Sequence, residues 1–176
     1  MRARVRIVHG VALLATGLLA GAFGYGAANL VPTFEAVSQD MRFDFHTELM
    51  KVNGITVQGA MAVSTLGSLA LAVLTRGGAR LAAAAASLLT FAAFLITRFG
   101  NVPINGRIKQ WAVSGPDPET AELLRRWELF NDARTLCGIS AFVVLGVLAL
   151  SGRNEGTSGR SSAHLSAARV RRRWRK

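Results

Sequence analysis

Four stretches without a single Asp, Glu, Lys or Arg constrain this chain more than anything else in it: residues 7–34, 52–75, 81–97 and 135–152. A helix needs about 20 apolar residues to cross the hydrocarbon of a bilayer, with about 17–25 tolerated. All four runs reach that window, the third only just. Inside lipid, backbone polar groups are satisfied only in helices or closed barrels. Barrel strands alternate apolar and polar residues over about 10 positions, whereas Ala82–Leu89 and Ile139–Leu150 are almost continuously apolar. A soluble four-helix bundle would give each helix a polar face, and these runs have none. The pattern predicts an all-α fold: a four-transmembrane-helix bundle over residues 1–152, with spans at about 7–31, 53–75, 81–99 and 130–151. The first run exceeds the roughly 7–15 apolar residues of a signal peptide, so a retained helix is expected there.

Charge sorts the rest of the chain. The net charge of +11 comes from Arg2, Arg4 and Arg6 (+3), from eight basic residues against Glu155 in 151–176 (+7), and from ten basic against nine acidic residues elsewhere (+1). Basic ends on a near-neutral apolar body exclude disorder as the overall state. They also exclude a nucleic-acid-binding domain, whose basic residues would lie across a folded face. Lys and Arg favour the cytoplasmic side. The N-terminus, the 76–80 turn and the C-terminal tail fall on one side of a four-pass bundle, which predicts a multi-pass protein of the cell membrane with both termini cytoplasmic. Residues 33–52, with four acids, read as a loop on the outer face beside 98–134. Residues 153–176 read as a flexible, disordered basic tail, attracted to anionic lipid headgroups.

Several chemistries are absent from the pattern. The single Cys137 excludes an intrachain disulfide and any multi-cysteine metal site. His9, His46 and His164 are scattered, so neither a metal nor an organic cofactor is expected, and no P-loop, dinucleotide fingerprint or nucleophile elbow occurs. Gly17 and Gly21 form a GxxxG spacing, read as helix packing within the bundle. The oligomeric state is left open.

Polar residues beside the apolar runs are the informative ones, because such groups usually face a bundle interior or a cavity. Asn53 and Gln58 open the second span, and Arg98, Asn101 and Asn105 close the third. Arg98, Asn101 and Asn105 share a face if the helix persists through Pro103. If it does not, Asn101 caps a new segment, and Trp111 follows as an interfacial anchor. Pro118-Glu119-Thr120 starts a helix that can run unbroken into the fourth span. On it Trp127, Asn131 and Arg134 stand at i, i+4 and i+7, one face at about 100° per residue. Gly138 continues that face and leaves space beneath Arg134. Two readings stand: these groups line a polar-ended pocket, or they only pair with one another and cap helix ends.

Phe45–Asn53, Asn101-Val-Pro-Ile-Asn105 and Trp127-x3-Asn131-x2-Arg134, in this order after Pro32, resemble the anthrone oxygenase family of small four-helix membrane proteins, over roughly residues 10–150. The resemblance implies cofactor-independent oxidation of an anthrone or similar polycyclic phenol by O2. It implies Asn101, Asn105, Asn131 and Arg134 as catalytic donors to a developing oxyanion. Asn53, Trp127 and Arg98 are expected to hold the apolar aromatic small molecule. The base is the missing part, since only Asp132 and His46 offer themselves and His46 matches no motif of the family. Two non-catalytic alternatives remain beside it: a lipid- or quinone-binding membrane protein using the same pocket, and an assembly subunit.

Overall fold

The computed structural model describes residues 3–173, with side chains through Ser151. Six α-helices follow in order: α1 (Ala3–Tyr25), α2 (Val31–Ala36), α3 (Gln39–Leu74), α4 (Gly77–Ile96), α5 (Val102–Ser114) and α6 (Thr120–Arg173). Wide π-turns at Gly26–Leu30 and Thr97–Asn101 join α1 to α2 and α4 to α5, so the described residues form four rods. All four are long and apolar enough to cross a membrane, and the chain is a multi-pass membrane protein. In the ring of rods, α1 packs on α3 and α6, and α4 packs on α3 and α6. The expected disordered tail, residues 153–176, and its attraction to lipid headgroups lie outside the residues whose side chains are described.

The prolines explain both wide turns. Pro32 and Pro103 have no N–H to donate back along the helix, and their rings crowd the preceding turn. One extra residue in that turn relieves the crowding. Val31 N–H therefore bonds Gly26 O and Val102 N–H bonds Thr97 O, each five residues back. Of the two expectations at Pro103, the persistent helix is the one found. Asn101 makes no side-chain cap there.

The candidate spans, counted on α6 only through Ser151, contain 32–38 residues, or about 50 Å at 1.5 Å per residue, against about 30 Å of hydrocarbon. The surplus lies at the end of the bundle holding α2, α5 and the first turns of α3 and α6, called the polar end below. Residues 39–52, read from sequence as loop, are helical. Asp40, Asp44, Glu48 and Lys51 stand at exposed positions while Arg42, Phe43 and His46 turn inward.

Three clusters fill the interior. At the end with the chain termini, Ala12, Leu71, Ala83, Ala86, Ala141 and Leu145 pack closely. Midway come Leu19, Phe23, Met61 and Ala93. At the polar end the core is aromatic: Phe34, Phe43, Ile104, Ile108, Trp111, Leu124 and Trp127. Trp111, expected at a membrane interface, belongs to this core at 3 % exposure, and its indole N–H donates to Asp117 Oδ2 at 3.0 Å. Gly115, at φ +79°, closes α5 in a conformation that L side chains rarely adopt. Of the GxxxG pair, Gly17 meets the Phe142 ring of α6, whereas Gly21 has open space where a Cβ would stand.

Candidate functional site

Where the aromatic core meets the middle of the bundle, a cavity of about 320 Å³ opens among α1, α3 and α6. Ligand pockets typically span about 300–1,000 Å³. Its walls are apolar and aromatic, with Phe23, Leu30, Phe34 and Trp127 among them, and its polar lining is His46, Asn53, Asn131 and Arg134 besides Tyr25. A smaller void of about 60 Å³ adjoins Asn53, Gln58, Asn101, Asn105, Trp127 and Arg134. The sequence-derived residues thus gather around connected linings, since Asn53, Trp127 and Arg134 border both voids.

Arg134 organises the floor. Its Nη2 donates to Asn131 Oδ1 at 2.7 Å and its Nε to the same oxygen at 3.2 Å. Its Nη1 stands 3.5 Å from Thr97 Oγ1, in the π-turn. Its guanidinium lies 4.7 Å from the centroid of the Phe23 ring. Phe23 can approach because Gly138 faces it: a Cβ there would stand 3.2 Å from Phe23 Cδ2. The space expected beneath Arg134 is therefore filled from α1. Three of the five guanidinium N–H groups are engaged. Among the described residues no carboxylate pairs with Arg134.

The asparagines divide by role. Asn131 Oδ1 accepts from Arg134, and its Nδ2 is buried without a partner among the described residues. Asn101, 1 % exposed, donates to the Trp127 carbonyl at 3.1 Å, and its Oδ1 has no partner. Asn105 is engaged at both ends: its Oδ1 accepts the Trp127 indole N–H at 2.8 Å and meets His46 Nε2 at 3.1 Å, while its Nδ2 points to Met50 Sδ at 3.3 Å. Arg98 is exposed and borders neither void. The wide turn that contains it takes it off the face shared by Asn101 and Asn105.

Of the two bases considered from sequence, Asp132 is exposed. His46 is 1 % exposed, lines the larger cavity and lies edge-on to Trp127, with ring centroids 4.9 Å apart. Reading residues 33–52 as loop leaves it outside the sequence-derived site set. On a helix, His46, Met50, Asn53 and Val57 follow at i, i+4, i+7 and i+11, and all four border the cavity. No group of three His, Cys, Asp or Glu side chains able to hold a metal occurs among the described residues.

Above the site, Arg42 Nη2 bonds Glu128 Oε1 at 2.8 Å while its guanidinium lies over Phe34, tying α3 to α6. Asp117, between α5 and α6, takes the Trp111 indole N–H and pairs with Arg107. The Trp111 bond, followed by bonds from Thr120 and the Glu119 N–H and the charge of Arg107, lowers the Asp117 carboxyl below its ordinary value.

These are the features of a polytopic membrane protein with an aromatic-walled, cation-floored cavity. The anthrone oxygenase family model matches residues 48–144, or 97 of the 176 residues, and the chain belongs to that family. The match spans Asn53 through Arg134 and stops two residues short of His46. No curated protein and no solved structure matches the chain.

Proposed function

We propose that the cavity binds a flat polycyclic phenol or anthrone, stabilises its anion and directs its oxygenation by O2 without a cofactor. Arg134 carries this reading: a guanidinium with two uncommitted N–H groups and no carboxylate partner among the described residues, with aromatic walls around it. In such a site a cation stabilises a developing oxyanion more than it would in water.

The chemistry asks little of the protein. Removal of one methylene proton from an anthrone leaves an electron pair delocalised onto the carbonyl oxygen. The anion passes an electron to O2, and the two radicals combine at the former methylene carbon. The peroxide takes up the proton, and loss of water leaves the quinone. One anthrone and one O2 give one anthraquinone and one water. Arg134, aided by Asn131 Nδ2, holds the oxyanion, and Trp127 and Phe34 face the rings.

We place both termini on the cytoplasmic side of the cell membrane, supported by the basic residues at that end of the bundle. Purified protein given anthrone in air is expected to form anthraquinone well above the spontaneous rate, consuming one O2 per quinone. Oxidation at the spontaneous rate alone overturns the reading for that substrate. A second reading rests on the exposed rim residues Ala22 and Tyr25, which put the cavity within reach of a quinone or lipid from the bilayer. A quinone retained through purification, without turnover, would select it.

A further inference from the structure

The oxygenation reading lacks a proton acceptor, and the hydrogen bonds around Asn105 supply one. An indole N–H only donates, so the Asn105 atom 2.8 Å from Trp127 Nε1 is its carbonyl oxygen. The amide nitrogen is thereby turned to Met50. The same oxygen stands 3.1 Å from His46 Nε2, and two acceptors do not bond. His46 Nε2 must therefore carry a hydrogen. In a neutral imidazole the other nitrogen is then bare, and His46 Nδ1 is buried with no partner among the described residues. Phe34 and Trp127 fix the ring plane from two sides, with centroids at 5.4 and 4.9 Å.

We infer that Nδ1 of His46 is the proton acceptor toward the ligand of the larger cavity, and that Asn105, oriented by the Trp127 indole, is the positioning residue that sets its tautomer. This rests on the cavity reading above and assigns it a base. The proton leaves the ligand's acidic C–H or O–H for Nδ1. The ring becomes an imidazolium with Nε2–H still on Asn105, and the electron pair stays on the ligand, whose oxygen faces Arg134. His46 is the catalytic residue in this step. Asn105 touches no ligand in it and acts through His46, a different role from the oxyanion donor expected of it.

The test uses the full chain labelled with 15N-histidine, with the His46 resonances assigned by their loss in His46→Gln. In the ligand-free protein Nε2 is expected to be the hydrogen-bearing nitrogen and Nδ1 the bare one. Anthrone added under nitrogen, which allows no turnover, is expected to move Nδ1 toward the protonated position. Asn105→Leu is expected to mix the two tautomers. In air it is expected to slow anthrone oxidation at least tenfold, whereas Asn105→Asp, which keeps an acceptor oxygen, recovers the single tautomer. A hydrogen on Nδ1 in the ligand-free protein overturns the inference. So does an Nδ1 resonance unmoved by saturating anthrone, or an Asn105→Leu protein whose tautomer is unchanged. If Nδ1 responds to anthrone while no quinone forms in air, the oxygenation reading fails and the assignment of the acceptor stands.

Discussion

The two ends of the bundle are packed by different physics. Toward the chain termini, Ala12, Ala83, Ala86 and Ala141 are fully buried, and the outer surface is apolar, with Leu14, Leu18, Leu66, Leu81 and Leu88 exposed. Lipid is as apolar as those side chains, so little drives the helices together except close contact between small residues. Gly67 lies so near Ala12 that an added Cβ would stand 3.2 Å from the Ala12 methyl. At the polar end large aromatics fill the core, and the Arg42–Glu128 ion pair ties α3 to α6 across the ring of rods. The cavity lies at the junction, where small-residue packing gives way to rings that do not close completely.

The junction depends on the π-turns, and this gives the comparison its breaking points. The largest expected effect is on binding. Arg134→Met keeps the bulk and removes the charge. Hydrogen bonds to charged groups contribute about 1.5–3 kcal/mol, so affinity for an anionic aromatic should fall roughly 10- to 100-fold in an equilibrium titration. Unchanged affinity would detach the cavity from its function. Next comes Gly100→Ala, in the turn itself. Its Cβ would lie 2.7–3.0 Å from atoms of the Phe130 ring, an overpacking that costs about 1–3 kcal/mol and should appear as a lower melting temperature in detergent. A melting temperature equal to the wild type would mean the turn yields without strain.

Smaller effects test the ends separately. At the polar end, Asp117 has a lowered carboxyl value, so it stabilises the fold fully above the usual aspartate value of about 4. That contribution is lost as pH falls through the lower folded value. Acid titration should release Trp111 from the carboxylate, seen as a tryptophan fluorescence change that Asp117→Asn abolishes. At the other end, the Ser64 hydroxyl is buried with no partner among the described residues, so Ser64→Ala should lower the unfolding free energy in detergent by less than the ~1 kcal/mol that a hydrogen bond typically contributes. A loss above that would show the hydroxyl to be engaged.

Different parts of this molecule were legible in the sequence for different reasons. The spans were, because charge-free runs report directly on solvent. So were Trp127, Asn131 and Arg134 as one face, because α6 is a regular helix through that stretch. Arg98 was misplaced because periodicity assumes a constant turn, and the Pro103 turn is wider. His46 was hidden by charge: Asp44, Glu48 and Lys51 around it suggested a solvated loop, where they are the exposed side of α3. Asn105 was found, but its bonding depends on the Trp127 indole arriving from a helix 22 residues away, which spacing within one helix does not reveal.

The central claim is that a cation and aromatic walls form one ligand site at the junction of the two ends. Titrating purified protein with anthrone under nitrogen, following tryptophan fluorescence with Trp127→Phe as reference, addresses it most directly. Saturable quenching carried by Trp127, and weakened at least tenfold in Arg134→Met, is the expected result. Quenching that does not saturate, or that persists unchanged in Arg134→Met, would contradict it.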